Sequence, residues 1–159
     1  MVRSAVQPSR WRIWAPPVIW ALAIMLMSGD LGSSPHTYPI FKWIFSTFTN
    51  LNPKTIKVLH SWFRKSLHFI CYGFLSVLWY RSLVATIPER RSACLILALV
   101  LTLGVSIIDE GHQTLMTNRT GTLKDVGLDM AGAIVFTFFT ARYWKRKAPV
   151  SFGVESPFP

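Results

Sequence analysis

The chain has 159 residues, 51% of them hydrophobic and 15% charged, with 17 Lys and Arg against 7 Asp and Glu. The apolar content excludes a disordered chain, the two cysteines exclude a disulfide scaffold, and the charged fraction lies well under the roughly 25% of soluble domains. A formal charge of +10 invites a nucleic-acid reading, but the basic residues flank long apolar runs instead of striping polar helices, so no nucleic-acid partner is expected.

A helix that crosses a bilayer needs about 20 mostly apolar residues. Four stretches qualify, at about 14–31, 67–87, 92–110 and 126–144. The first has Pro16 and Pro17 near its start, where missing N–H groups cost little. Arg3, Arg10 and Arg12 ahead of a short apolar core also resemble a signal peptide, but Met27-Ser28-Gly29-Asp30 is a poor cleavage site, which favours an uncleaved span. The segment 32–64 is rich in aromatics with Lys and Arg interspersed, as in Tyr38 to Phe45 and Val58 to Phe63. It suits either helices lying in the headgroup plane or an ordinary aromatic belt. The expected fold is an all-α integral membrane protein, a four-transmembrane-helix up-down bundle with an interfacial, aromatic-rich outer loop. The transmembrane domain takes in 1–147, and a flexible tail with three prolines follows at 148–159.

Four spans put the N-terminus, the loop between spans two and three, and the C-terminus on one side. That side holds ten basic and two acidic residues, the other seven basic and five acidic, or +8 against +2. The positive-inside rule then places both termini in the cytoplasm. Cys71 and Cys94 fall near opposite ends of their spans, so no disulfide joins them and both read as packing residues.

In this topology the unusual polar residues converge at the outer face. Asp30 closes span one; Arg64, Lys65, His68 and Tyr72 open span two; Asp109, Glu110, His112 and Gln113 close span three; Lys124, Asp125 and Asp129 open span four. His68, Tyr72 and Ser76 repeat every four residues, as do Asp109 and Gln113, and Asp125 and Asp129, so each set shares a helix face. Ionisable groups in spans face the bundle interior and pair with one another. Lys65 or Arg119 is expected to neutralise part of the carboxylate group, with His68 bonded to one acid. Simpler roles stand beside this: Lys65 as an interface anchor, His112 and Asp30 as solvated residues, Asp109 and Glu110 as a polar stop, Asp125 as a helix cap. Gly121 serves a turn and Gly127 and Gly132 serve close helix packing. Asn118-Arg119-Thr120 fits a glycosylation sequon of the kind that arises by chance.

Lys65-Ser66-Leu67-His68-Phe69-Ile70-Cys71-Tyr72-Gly73 with Leu75, then Asp109-Glu110-Gly111-His112-Gln113, then Arg119 to Asp125 with Asp129 and Gly132, resemble the VanZ-like membrane protein family. The opening from Trp14 to Ser28 is similar too, and the matched blocks span about 11–140. One departure stands out: where the family has Asn, this chain has Asp129, which adds a negative charge beside Asp109, Glu110 and Asp125 and makes a bound cation or a different ligand more attractive. The resemblance implies a bacterial envelope membrane protein, and links the family to lowered susceptibility to the lipophilic glycopeptide teicoplanin.

Three functions follow as expectations. The first is a non-transporting envelope protein that lowers glycopeptide access. The second is an enzyme on a lipid-linked or phosphorylated envelope substrate. In it His68, Asp109, Glu110 and Asp129 are the acid–base or metal-ligand candidates, and Lys65 and Arg119 hold phosphate. The third, an ion or proton path, is disfavoured because the inner halves hold only scattered Ser76, Thr102 and Thr137. The binding set is Lys65, His68, Tyr72, Asp109, Glu110, His112, Gln113, Arg119, Asp125 and Asp129. Catalysis, metal, cofactor and homo-oligomer are left open. The expected partners are the lipid bilayer and a lipid-linked precursor or glycopeptide.

Overall fold

The computed structural model describes residues 9–29, 32–116 and 122–147. The expectations that rest on Asp30, Arg119, Gly121, the sequon and the tail fall outside these residues. Every element described is helical: α1 (Arg10–Ser28), α2 (Ser34–Phe48), α3 (Pro53–Thr86), α4 (Arg91–Thr114) and α5 (Leu123–Lys147), with a short 3₁₀ turn at Pro88–Arg90 between α3 and α4. Among the described residues, α1, α3 and α4 are long and apolar enough to cross a membrane. Helix α5 is broken in hydropathy by Asp129 and packs most extensively along α3.

The starts and joints of these helices follow from local chemistry. Asn52 caps α3, its Oδ1 accepting from the Thr55 N–H at 2.8 Å, and Pro53 fills the first position, where no N–H is needed. Thr122 and Asp125 cap α5 reciprocally: Thr122 Oγ1 donates to Asp125 Oδ2 at 2.8 Å and accepts from the Asp125 N–H at 3.3 Å. Helix α1 begins earlier than its apolar run, so Pro16 and Pro17 lie inside it. Pro17 cannot donate to the Ile13 carbonyl, and the Ser82 hydroxyl on α3 takes that acceptor at 2.7 Å. A backbone defect in one helix thus becomes a joint to another.

The segment 32–64 departs from a loop of separate in-plane helices. α2 accounts for its first half, and the second half is the unbroken start of α3. At about 1.5 Å per residue, the 34-residue α3 is roughly 50 Å long, beyond a hydrocarbon core of about 30 Å, so its first turns project past the spanning part. Phe41 of α2 packs on Phe63 and His60 of α3, at ring-centroid distances of 5.5 and 5.2 Å.

Helices α3 and α5 touch backbone to backbone. A Cβ on Gly132 would run into the Phe69 carbonyl, and one on Gly73 would meet Phe136 and the Gly132 carbonyl. Gly127, expected to share this role, faces open space, because it lies on the side of α5 away from α3. The interior is inverted relative to a water-soluble domain: Ser76, Thr102, Ser106, Asp109, Asp129 and Thr137 are fully buried, whereas Ile19, Leu22, Ile96, Val100, Phe138 and Phe139 are exposed. That distribution suits a lipid surround. At one end Tyr80, Leu83, Val84, Cys94, Ala98 and Ala141 form a close-packed apolar cluster edged by Trp14, Trp79 and Trp144. At the other lies the polar group. Both cysteines are free.

Candidate functional site

The polar group is assembled by four helices. Asp109 of α4 is fully buried, and its Oδ2 accepts three hydrogen bonds: from Ser28 Oγ of α1 at 2.7 Å, Tyr72 Oη of α3 at 2.9 Å and Gln113 Nε2 one turn on at 3.1 Å. Gln113 Nε2 also donates to Ser28 Oγ at 2.6 Å. Asp129 of α5 is fully buried as well. Its Oδ1 accepts from His68 Nδ1 at 3.2 Å and its Oδ2 from Ser106 Oγ at 2.7 Å. Glu110, 5% exposed, receives the Thr122 backbone N–H on Oε2 at 2.9 Å. A further hydroxyl pair, Ser76 and Thr137 at 2.6 Å, joins α3 to α5 deeper in the bundle.

The hydrogen bonds are unevenly spread over the carboxylates. Both oxygens of Asp129 are engaged, whereas Asp109 Oδ1 and Glu110 Oε1 are buried with no partner. One ligand atom from each of His68, Asp109 and Glu110 lies within 4.8 Å of the other two. Among the described residues no Lys or Arg comes within ion-pair distance of these three acids. A buried carboxylate without a cation or a proton is expensive, so this end of the molecule is electrostatically demanding.

Beside the polar group lies a cavity of about 530 Å³ between α1, α2 and α3. Ile24, Met27, Ile40, Phe41, Ile44 and Phe63 form its apolar wall, while Arg64, His68 and Tyr72, with Ser28, Thr37 and His60, supply the polar part of its lining. In that lining, beyond the spanning part of α3, His60 Nε2 lies 3.1 Å from Thr37 Oγ1 and its ring packs on Tyr38. Burial, with Arg64 one turn away adding to it, holds the His60 imidazole below its ordinary acidity range, so it is neutral at pH 7.

The sequence matches the VanZ/LLP1 family over residues 14–144. The chain belongs to the VanZ/LLP1 family. A comparison with curated proteins finds no match, and a comparison with solved structures finds none.

In this VanZ/LLP1 chain the structure joins His68, Tyr72, Asp109, Gln113 and Asp129 in one hydrogen-bonded group, with Glu110 at its edge. It leaves others out. Lys65 is exposed and pairs with none of the acids, because a long Lys beyond the spanning part of its helix extends its ammonium toward water. His112 is exposed, on the face of α4 away from Gln113. Asp125 is bound to Thr122 as a cap. The half-buried cation beside the cavity is Arg64, which feels the Asp125 and Glu110 charges. The binding set also lacked Ser28 and Ser106. Ser106 had a readable signal, since Thr102, Ser106, Asp109, Glu110 and Gln113 fall on one helical face. Ser28 had none beyond its place at the end of the first apolar run.

Proposed function

We propose that this protein is a multi-pass protein of the bacterial cytoplasmic membrane, with α5 as its fourth span and both termini cytoplasmic. In this reading it binds an amphiphilic envelope molecule, a lipid-linked precursor with an anionic head, at the outer face. The observation that carries the reading is the cavity of about 530 Å³, apolar on α1 and α2 and edged by Arg64, His68 and Tyr72 on α3. Its size and lining suit a hydrocarbon chain whose head reaches the polar group, and Arg64 suits a phosphate. Catalysis on that head would fall to His68, Asp109 and Glu110, as acid–base groups or as ligands of a metal ion.

The same apolar wall supports a second reading, in which the acyl chain of a lipophilic glycopeptide such as teicoplanin occupies the cavity and the protein lowers its access to target. The two are separated by one experiment. Full-length protein in nanodiscs is titrated with a polyprenyl phosphate and with teicoplanin, read by native mass spectrometry. Arg64→Ala and Phe41→Asp serve as cavity variants, and a deletion strain complemented with each is scored for envelope lipids and glycopeptide susceptibility. The first reading expects polyprenyl phosphate retention that both variants weaken. Retention unaffected by either variant, or no retention, would overturn it.

A further inference from the structure

The two unpartnered carboxylate oxygens are the least expected feature of the polar group. A buried acceptor left bare costs on the order of 1–3 kcal/mol, more when charged, so structures rarely keep one without a purpose. Here two such oxygens, Asp109 Oδ1 and Glu110 Oε1, come from adjacent residues of α4, and each of these carboxylates places an oxygen within 4.8 Å of the other and of a His68 ring nitrogen. We infer that His68, Asp109 and Glu110 form a binding site for one divalent transition-metal ion, held in place by the hydrogen bonds on their remaining atoms.

The supporting bonds are those a metal site requires. His68 Nδ1 is fixed by Asp129 at 3.2 Å, which leaves Nε2 as the ring nitrogen with a free lone pair. A carboxylate on the far nitrogen of a metal-ligating histidine sets its tautomer and raises its basicity. Asp129 lies outside the set of ligand atoms, and its two oxygens are held by His68 and Ser106. Asp109 is held from behind by three donors on one oxygen, which aims the bare one, and Glu110 is held by the Thr122 N–H. The spacing of 4.8 Å closes with small side-chain rotations around an ion whose ligand bonds are about 2.0–2.2 Å long. One imidazole and two carboxylates suit Zn²⁺, Fe²⁺ or Mn²⁺ better than the all-oxygen preference of Mg²⁺ and Ca²⁺. Three protein ligands leave the ion coordination positions for water or another oxygen donor. A divalent ion would also offset the charge that no Lys or Arg among the described residues pairs. A charged acceptor at Asp129, bonded to Nδ1, raises the basicity of the His68 ring. The site stands whether or not the cavity takes an amphiphile, and the two are read by different measurements.

The test uses tag-free, full-length protein in nanodiscs, equilibrated separately with Zn²⁺, Mn²⁺ and Mg²⁺, desalted and analysed by mass spectrometry for metal content, with electron paramagnetic resonance on the Mn²⁺ sample. The expected result is about one Zn²⁺ or Mn²⁺ per chain and little Mg²⁺. Asp109→Asn and Glu110→Gln, both near-isosteric, should lose the ion on desalting, while Asp129→Asn, altering only the support, should bind on the order of tenfold more weakly. Unfolding midpoints establish that each variant is folded; if Asp109→Asn is not, Glu110→Gln decides, since it disturbs a single backbone contact. Wild-type protein that retains no ion, or Glu110→Gln protein that retains as much as wild type, would overturn the site. Loss of polyprenyl phosphate binding with metal retention intact would leave the site standing and remove only the amphiphile reading.

Discussion

The two ends of the bundle are built on opposite principles. At the aromatic end, Tyr80, Leu83, Val84, Cys94, Ala98 and Ala141 fill space, and the Trp14 and Trp79 rings pack 6.1 Å apart across α1 and α3. At the polar end, Ser28, His68, Tyr72, Ser106, Asp109, Gln113 and Asp129 are held by directional bonds, and two oxygens are left bare. The first end contributes dispersion and shape, which favour one packed arrangement. The second holds unmet hydrogen-bonding capacity, which does little for stability. Close packing and polar capacity are thus segregated along the bundle axis.

Mutations can break or sharpen this contrast. The largest effect is expected at the aromatic end: Tyr80→Ala should cost about 3–4 kcal/mol of unfolding free energy in mixed micelles, as large-to-small core changes do. Its ligand affinity per folded molecule should be unchanged. Asp109→Asn should do the reverse, abolishing ion retention while changing stability by less than about 1 kcal/mol, because its amide oxygen still accepts from Ser28, Tyr72 and Gln113 while the charge is removed. Equal stability losses in the two variants would erase the distinction. Ser82→Ala should fall between them, at about 1–2 kcal/mol, since it leaves the Ile13 carbonyl without its donor; a small residue such as Gly should not restore it, whereas Thr should.

The smallest effect should appear with pH, in the contact of α2 with α3. His60 is kept neutral in the folded state, so its folded value lies below its unfolded one. The unfolded chain therefore binds more protons, and this contribution, complete above about pH 6.5, is lost as pH falls below the unfolded value toward the folded one. Hydrogen-exchange protection of 34–64, corrected for the intrinsic pH dependence of amide exchange, should fall a few-fold between pH 7.5 and 5 in wild type. It should be flat in His60→Phe, which cannot gain a proton. A pH response that survives this change would have to come from another group.

Much of this arrangement was legible in the sequence because helical spacing is itself geometric. His68 with Tyr72, and Asp109 with Gln113, announce shared faces before any coordinates exist, and an unusual charge within an apolar run marks Asp129. The pairing of His68 with an acid followed from the same reasoning. Three things were not legible. Helices within 32–64 were one of the two readings, and Pro35 and Pro53 fit them at first-turn positions, but no spacing shows that the second helix runs unbroken into α3. Which oxygen of Asp109 is bonded and which is bare depends on a side-chain rotation that no spacing records. The contact of Glu110 with the Thr122 N–H depends on the path of the chain between α4 and α5.

The bond from Ser82 to the Ile13 carbonyl has a consequence for the order of assembly. The chain is made from its N-terminus, so α1 exists, with an acceptor that Pro17 has freed, before the residue that satisfies it is synthesised almost 70 positions later. Until then that carbonyl has only water or the translocation machinery to bond with. A nascent chain that ends before Ser82 therefore carries an α1 with one backbone acceptor that the finished fold satisfies and it does not. Pro17 thus makes the first helix complete its own backbone bonding only once the third has arrived.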